Sequence, residues 1–319
     1  MDKTQKSIFE KYYQTTTFID HYTDHPEGAV DVIIPVIHTN ELWENNLLSY
    51  YREIPIHRLL IGDGGCIGDS IKIAKKFPRI EVFDHRNLTS LGFSIRKLIE
   101  AVETDWFVYL HSDVYLPEGW FDAMLNHQDE YDWFECRQRI TMLVEYDQDY
   151  SNTKRAYSGA QMGRLQAFRS TLPKIEDDYL YRNEDIILAG LIKEAGQRYG
   201  RADDVFHYHQ LIHKPSPWLR KINSVNIKLE LSREEEVRSC MMQVKGFIKY
   251  LEPDPYLMKG IAGNINRLQE MGEMNWSELA DWTKKTNPAW LPLISKQAKK
   301  ERWIGLIRPL IQKAKKMMK

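Results

Sequence analysis

Four short apolar runs, each ended by a polar loop and three of them followed by a segment of helical period, restrict this chain to an α/β fold with a mostly parallel sheet. The first, Val30-Asp31-Val32-Ile33-Ile34-Pro35-Val36-Ile37, is β-branched and almost continuously apolar, as a strand buried on both faces must be. Arg58-Leu59-Leu60-Ile61, Ile80-Glu81-Val82-Phe83 and Trp106-Phe107-Val108-Tyr109-Leu110 are the others. Between them the sequence predicts helices over about Asn40 to Tyr51, through Ile71, Ile73, Ala74 and Phe77, and after Ser90. In the last of these Ile95, Leu98, Ile99 and Val102 share one face. A further helix is expected from about Pro117, where a fixed φ suits a first turn.

Beyond that point the pattern loosens. Asp132 to Arg137 and Ile140 to Glu145 read as strands, Tyr150 to Ala160 as a polar loop, and Gln161 to Phe168 as ordered again. Asp185 to Ala195 reads as a helix stopped by Gly196, and Asp204 to His209 as a strand. Lys214-Pro215-Ser216-Pro217 is the expected domain boundary, dividing an α/β domain at about residues 20–215 from a helical region at 216–319. Helices are expected around Arg233 to Leu251, Tyr256 to Met271 and Trp276 to Lys285.

Composition excludes several function classes. A net charge of −1 gives no electrostatic case for nucleic acid. The three cysteines, Cys66, Cys136 and Cys240, form no CxxC pair, which argues for a reducing compartment and against a disulfide framework or zinc knuckle. No apolar run approaches the roughly 20 residues that span a bilayer, and Met1 to Tyr13 lacks an apolar signal core. The expectation is a cytoplasmic protein, or one peripheral on the cytoplasmic face of a membrane.

Polar constellations fall where chemistry usually sits in such a fold, beyond the carboxyl ends of strands. Asp113 follows the Trp106 strand in His111-Ser112-Asp113, and Asp63 follows the second strand in a glycine-rich turn, Gly62 to Gly65. Glu184-Asp185 opens a helix, and His207 and His209 share one strand face because side chains alternate. Each has a plain alternative. Asp113 caps the next helix or turn, Asp63 is turn chemistry, the acidic pair answers the helix dipole, and His207 is a core histidine.

The order of these motifs, from Val30 to His213, resembles a GT-A fold glycosyltransferase, most closely the inverting family 2. The resemblance implies a Rossmann-like, mostly parallel sheet and a nucleotide-diphosphate sugar donor. Val32 to Val36 with Asn40-Glu41 is similar to the family's opening strand and loop. Ile61 to Gly65 is similar to the loop whose Asp contacts the base, and Leu110 to Asp113 to the Asp-x-Asp metal motif. Gly159-Ala160-Gln161 to Phe168 and Asn183-Glu184-Asp185 are similar to its acceptor segment and Glu-Asp motif. It implies donor contacts from Pro35, Ile37, Glu41, Asp63, Gly64 and Ser112. Arg96, with Lys97, is a candidate for the diphosphate, although on a helix such residues also form a solvated face.

For the metal, Asp113 offers a hard oxygen, and His207 or His209 a nitrogen. Such a mixed set suits Mn²⁺ somewhat better than Mg²⁺. Asp185 is the candidate general base, with Glu184 orienting acceptor or backbone. The acceptor is a glycan or lipid-linked hydroxyl. His111 departs from the family, which has an acid there, and leaves open a metal-poor or inactive scaffold. The processive members' arginine-tryptophan motif is not evident, so single addition is expected.

A methyltransferase is the rival reading. Leu59 to Gly68 resembles the glycine motif that wraps S-adenosylmethionine, with Asp84 placed for a ribose. That motif normally follows a first strand, and here a strand and helix precede it. The reading also leaves Asp113, Glu184-Asp185 and the histidines without roles. At the C-terminus, Trp303, Ile307, Leu310, Ala314 and Met318 recur at helical spacing among lysines and arginines. A basic amphipathic helix of this kind suits an anionic membrane surface, or packs on the protein with its charges in water, and Pro309 is expected to kink it.

Overall fold

The structure is a computed structural model that describes residues 18–20, 28–36, 39, 42–65, 68–88, 91–141, 147–149, 159–169, 171–172, 184–209, 233–255 and 257–317. Ile37, Glu41, Cys66, Asn183 and the boundary expected at Lys214 to Pro217 lie outside the described residues, as does most of the loop expected from Tyr150 to Ala160.

β1 (Val30–Val36), β2 (Ile56–Asp63), β3 (Ile80–Asp84) and β4 (Trp106–Leu110) pair in parallel in the order β3-β2-β1-β4. β8 (Ala160–Arg164) then runs antiparallel beside β4, and on its far side β6 (Trp133–Thr141) pairs in parallel with β9 (Tyr199–His209). β5 (Val114–Tyr115) closes the edge against the end of β9, and β7 (Asp147–Asp149) pairs with β6. The result is a mixed α/β sheet whose first four strands are parallel. Two successive antiparallel pairings bring β6 and β9 back into the sense of β4, so these strands all end on one edge. That edge carries the site.

β1 forms at the centre because its sequence is almost wholly apolar on both faces, and every residue of it is buried, whereas the edge strand β3 leaves Glu81 and Asp84 exposed. α1 (Trp43–Glu53) covers one face with Trp43, Leu47, Tyr50 and Tyr51, each almost fully buried. Side chains of that size contribute about 1.5–3 kcal/mol apiece when removed from water. α2 (Ser70–Ala74) is shorter than its spacing predicts. Phe77 lies beyond its end and stacks on Tyr51, with ring centroids 5.3 Å apart. α3 (Leu91–Glu100) buries Ile95, Leu98 and Ile99 as expected. α4 (Trp120–Leu125) starts later than Pro117, because Gly119 before it is left-handed at φ 77°. α5 (Leu165–Arg169) follows β8, and α6 (Glu184–Glu194) leads through Gly196, at φ 77°, into β9.

The described residues divide into two compact units, the first containing the sheet. The second contains α7 (Arg233–Tyr250), α8 (Leu257–Glu270), α9 (Trp276–Thr286) and α10 (Leu291–Met317). A capping box starts α9, with Asn275 accepting from Ser277 and Glu278 amides and Glu278 returning to the Asn275 amide. α10 continues through Pro309, and no helix among the described residues is long and apolar enough to cross a membrane.

At the edge of the sheet remote from the site, one acid ties three segments together. Asp31, fully buried, accepts from Arg58 Nη2 at 2.7 Å, Arg58 Nε at 3.2 Å and the Glu103 amide at 2.8 Å. Removing one partner of such a pair strands a buried charge and its donors. Asp31→Ala is expected to cost about 3 kcal/mol, read from the midpoint of urea unfolding; an unchanged midpoint would show the pair to be dispensable.

Candidate active site

The turn after β4 is held by α1, whose buried residues include the polar Asn46 and Ser49. Asn46 of α1 donates to the Ser112 carbonyl at 2.9 Å. The Tyr50 hydroxyl reaches the His111 and Val114 carbonyls at 3.0 and 2.8 Å, and the Leu116 amide donates to Ser49 Oγ at 3.1 Å. Arg52 adds bonds to the Tyr115 hydroxyl at 3.0 Å and the Leu116 carbonyl at 2.6 Å. Burial, and then the charge of Asp113, raise the Tyr50 pKa, so its hydroxyl stays a donor. On the other side the His111 amide donates to the Gly159 carbonyl at 2.8 Å, tying the turn to the start of β8.

This scaffold brings His111, Asp113 and His209 together, with one potential ligand atom of each within 4.8 Å of the others. His209 Nε2 lies 3.1 Å from Asp113 Oδ1, and His111 Nε2 lies 2.8 Å from the Tyr109 hydroxyl. The pairing of Val114 with His209 across β5 and β9 fixes the approach of the two segments. Burial raises the Asp113 carboxyl, and the neighbouring His209, with help from His111, more than reverses that and holds it down to about 2. Burial, and then His209, push the His111 imidazole down to about 4. At neutral pH the site therefore presents a carboxylate and a neutral His111 ring.

His207 sits elsewhere. It is on the same face of β9 as His209 but one layer deeper, fully buried, with Nδ1 3.2 Å from Cys136 Sγ. The trio that could hold a metal ion contains His111 instead, the residue that stands where the resemblance implies an acid. Alternation along a strand gives the face and not the depth, and depth separates the two histidines. Gly159 makes room for both rings: a Cβ there would lie 2.7 Å from His207 Nε2 and 2.9 Å from His209 Nδ1.

Asp63 ends β2 and accepts from the Gly65 amide at 2.9 Å, while the Gly64 amide donates to the Val36 carbonyl at 2.8 Å. Pro35 pairs with Gly62 within the sheet. Ser112 is half-buried in the turn. Arg96 and Lys97 both pair with Glu100 on their own helix, at 3.0 and 2.6 Å, which matches a solvated helix face. Glu184 and Asp185 open α6, which leads into β9. Asp185 is half-buried.

The spacing did not single out Asn46, Tyr50 or Gln138. Buried polar residues on a helix or strand look like surface ones in sequence. Gln138 is buried, and its amide contacts His209 Nδ1 while its Oε1 has no partner. Exchanging the amide ends puts that oxygen on an Nδ1–H and leaves Nε2 with a lone pair toward Asp113. Two imidazoles, a carboxylate and a carbonyl orienting one ring fit a divalent cation.

No protein-family model matches the chain, and no curated protein does either. Among solved structures it is similar to S. aureus TarS, at 12% identity over 84% of this chain and 55% of that one, with a TM-score of 0.47. It is also similar to residues 1–349 of TarS in complex with UDP, at 13% identity over 86% of this chain and 91% of that one, and with UDP-GlcNAc, at 11% over 86% and 92%. Both TM-scores are 0.48. The chain spans about half the length of the longer TarS structure.

Burial first, then the charges of His209 and His111, push the His207 pKa well below its ordinary value. Its folded pKa lies below the unfolded one, about 6.5, so the stability it contributes is present above that pH and is lost as pH falls toward the folded value. The urea midpoint is expected to drop between pH 7 and pH 5, and to drop less in His207→Gln. A parent midpoint flat over that interval would show that His207 is not buried as a neutral ring.

Proposed function

We propose that this chain transfers a sugar from a nucleoside-diphosphate donor to a hydroxyl of a glycan or lipid-linked acceptor, with inversion. The observation that carries the reading is the His111-Asp113-His209 cluster at the strand-end edge of the sheet, the edge at which β2 also ends in the turn of Asp63. In the reaction the acceptor oxygen bonds to the anomeric carbon as the carbon–oxygen bond to the diphosphate breaks. The nucleoside diphosphate leaves with the electron pair. A divalent cation, Mn²⁺ in preference to Mg²⁺, supplies charge stabilisation to that leaving group when bound.

The chain's own residues do the rest. Asp113 with the two imidazoles places the diphosphate, and Asp63 lies on the side of β2, where the nucleoside would rest. Asp185 takes the proton of the acceptor hydroxyl. It starts α6, whose amide dipoles favour the ionised form. A base in this position is typically worth about 10²–10⁴-fold in rate.

Calorimetric titration with UDP and GDP, with and without Mn²⁺, tests the cluster. Mn²⁺ should tighten binding of one nucleotide at least tenfold, and His111→Ala, Asp113→Ala and His209→Ala should each remove that gain. Equal affinity with and without the metal, or binding of S-adenosylmethionine in place of either nucleotide, would contradict the proposal.

We further assign α10 to an anionic membrane surface. Lys296, Lys299, Lys300 and Arg302 are exposed around Trp303 and Ile304, whose relative exposures are 67% and 38%. Each basic residue near such a surface adds about 1 kcal/mol of attraction. Sedimentation with phosphatidylserine vesicles should weaken as salt rises and in Trp303→Ala. Salt-independent sedimentation, or none, would remove the assignment.

A further inference from the structure

The turns that end β2 and β3 form one wall, and a glycine makes their junction possible. The His85 amide donates to the Asp63 carbonyl at 2.9 Å, and the Leu88 amide closes the turn on the His85 carbonyl at 3.0 Å. A Cβ at Gly65 would lie 3.6 Å from Arg86 Cγ, so the glycine-rich turn touches the turn after β3. The His85 ring lies against β2 at Gly62. A Cβ there would stand 2.5 Å from both His85 Nδ1 and Ser94 Oγ. Glycine at this position therefore lets the imidazole meet the Ser94 hydroxyl of α3, at 2.7 Å.

That bond uses one ring nitrogen and leaves the other. His85 and Ser94 are 7% and 6% exposed, and their side chains hydrogen-bond only each other among the described residues. His85 Nε2 has no hydrogen-bond partner among those residues, yet it is not sealed from solvent. A ring locked by one nitrogen, with the other open at the carboxyl end of a parallel strand, is placed as a ligand contact is in such sheets. Burial lowers the His85 pKa, Asp84 raises it, Lys97 lowers it and Asp63 raises it, and the balance lies below the ordinary value. The ring is thus neutral at pH 7, and Nε2 offers one directional hydrogen bond and no charge.

We infer that His85 reads the base of the nucleoside-diphosphate donor, with Nε2 bonding the base edge and Ser94 acting as a positioning residue through Nδ1. The inference rests on the transferase reading, which supplies the donor, and adds the residue that selects among bases. The His111-Asp113-His209 cluster lies at the end of β4 and His85 at the end of β3, with β1 and β2 between them. Neighbouring strands are about 4.8 Å apart, so the two strand ends are separated by about 14 Å. A nucleoside diphosphate covers such a span with its diphosphate at one end and its base at the other. Selection follows from what goes unpaired, because a base with no complement to Nε2 must bury that nitrogen bare.

The test is calorimetric titration of the full chain with UDP, GDP and pyrophosphate in Mn²⁺, for the parent, His85→Ala and His85→Gln. The parent should prefer one nucleotide. His85→Ala should weaken that nucleotide by about tenfold and narrow the preference, while the affinity for pyrophosphate, which has no base, stays unchanged. His85→Gln, whose amide reaches the place of Nε2, should recover part of the loss. Parent-like preference in His85→Ala, or an equal loss for pyrophosphate, would overturn the inference and leave the transferase reading standing. A parent that binds neither nucleotide would overturn both.

A second arm holds even where the alanine variant does not fold. In ¹⁵N spectra of the histidine-labelled parent in Mg²⁺, the His85 Nε2 signal should move on adding the preferred nucleotide and not on adding pyrophosphate. In Ser94→Ala the balance of the two His85 tautomers should change, and the nucleotide alone should bind more weakly. A His85 signal indifferent to the nucleotide would overturn the reading of the base. An unaltered tautomer and unaltered nucleotide affinity in Ser94→Ala would overturn the positioning role.

Discussion

The site depends on a set of hydrogen bonds that α1 makes to the backbone between His111 and Leu116. Asn46, Ser49 and Tyr50 satisfy carbonyls and an amide that would otherwise be buried unpaired in a two-residue strand and two turns. A group left unpaired there costs about 1–3 kcal/mol, so the network both stabilises the turn and fixes its conformation. Asp113 is where it is because the loop on either side of it has no freedom.

The rest of the sheet brings a distant segment to meet that turn. β8 reverses direction beside β4, β6 reverses it again, and β9 then ends at the same edge as β4. β5 pairs Val114 with His209 and thereby sets Asp113 against the second imidazole. Gly159 gives up its side chain so that both imidazoles of β9 fit against the start of β8. The candidate ligands thus reach one edge by one set of strand reversals.

How much of this was legible in sequence follows from what each residue looks like alone. β1, β2 and β4 were legible because largely buried strands read as apolar runs, and α3 because its apolar residues recur at helical spacing. Asp113, Asp63 and His209 were legible from their places after strands or on a strand face. His207 was read as equivalent to His209, because periodicity carries no depth. His111 was read as a departure, because a family pattern written in acids has no place for an imidazole that arrives at the same spot. Asn46 and Gln138 gave no signal, since a buried polar residue differs from an exposed one only in what surrounds it. β5, two residues long, is too short for any pattern and exists only because β9 is there to pair with it.

The central claim is that the strand-end edge holds a nucleoside diphosphate through a cation bound by His111, Asp113 and His209. The most direct measurement is anomalous diffraction from a crystal of the full chain grown with Mn²⁺ and UDP or GDP. The account predicts one manganese peak bounded by the Asp113 carboxylate and the imidazoles of His111 and His209, with the diphosphate oxygens completing its coordination. A nucleotide bound away from these three residues, or a manganese peak on other side chains, would contradict it.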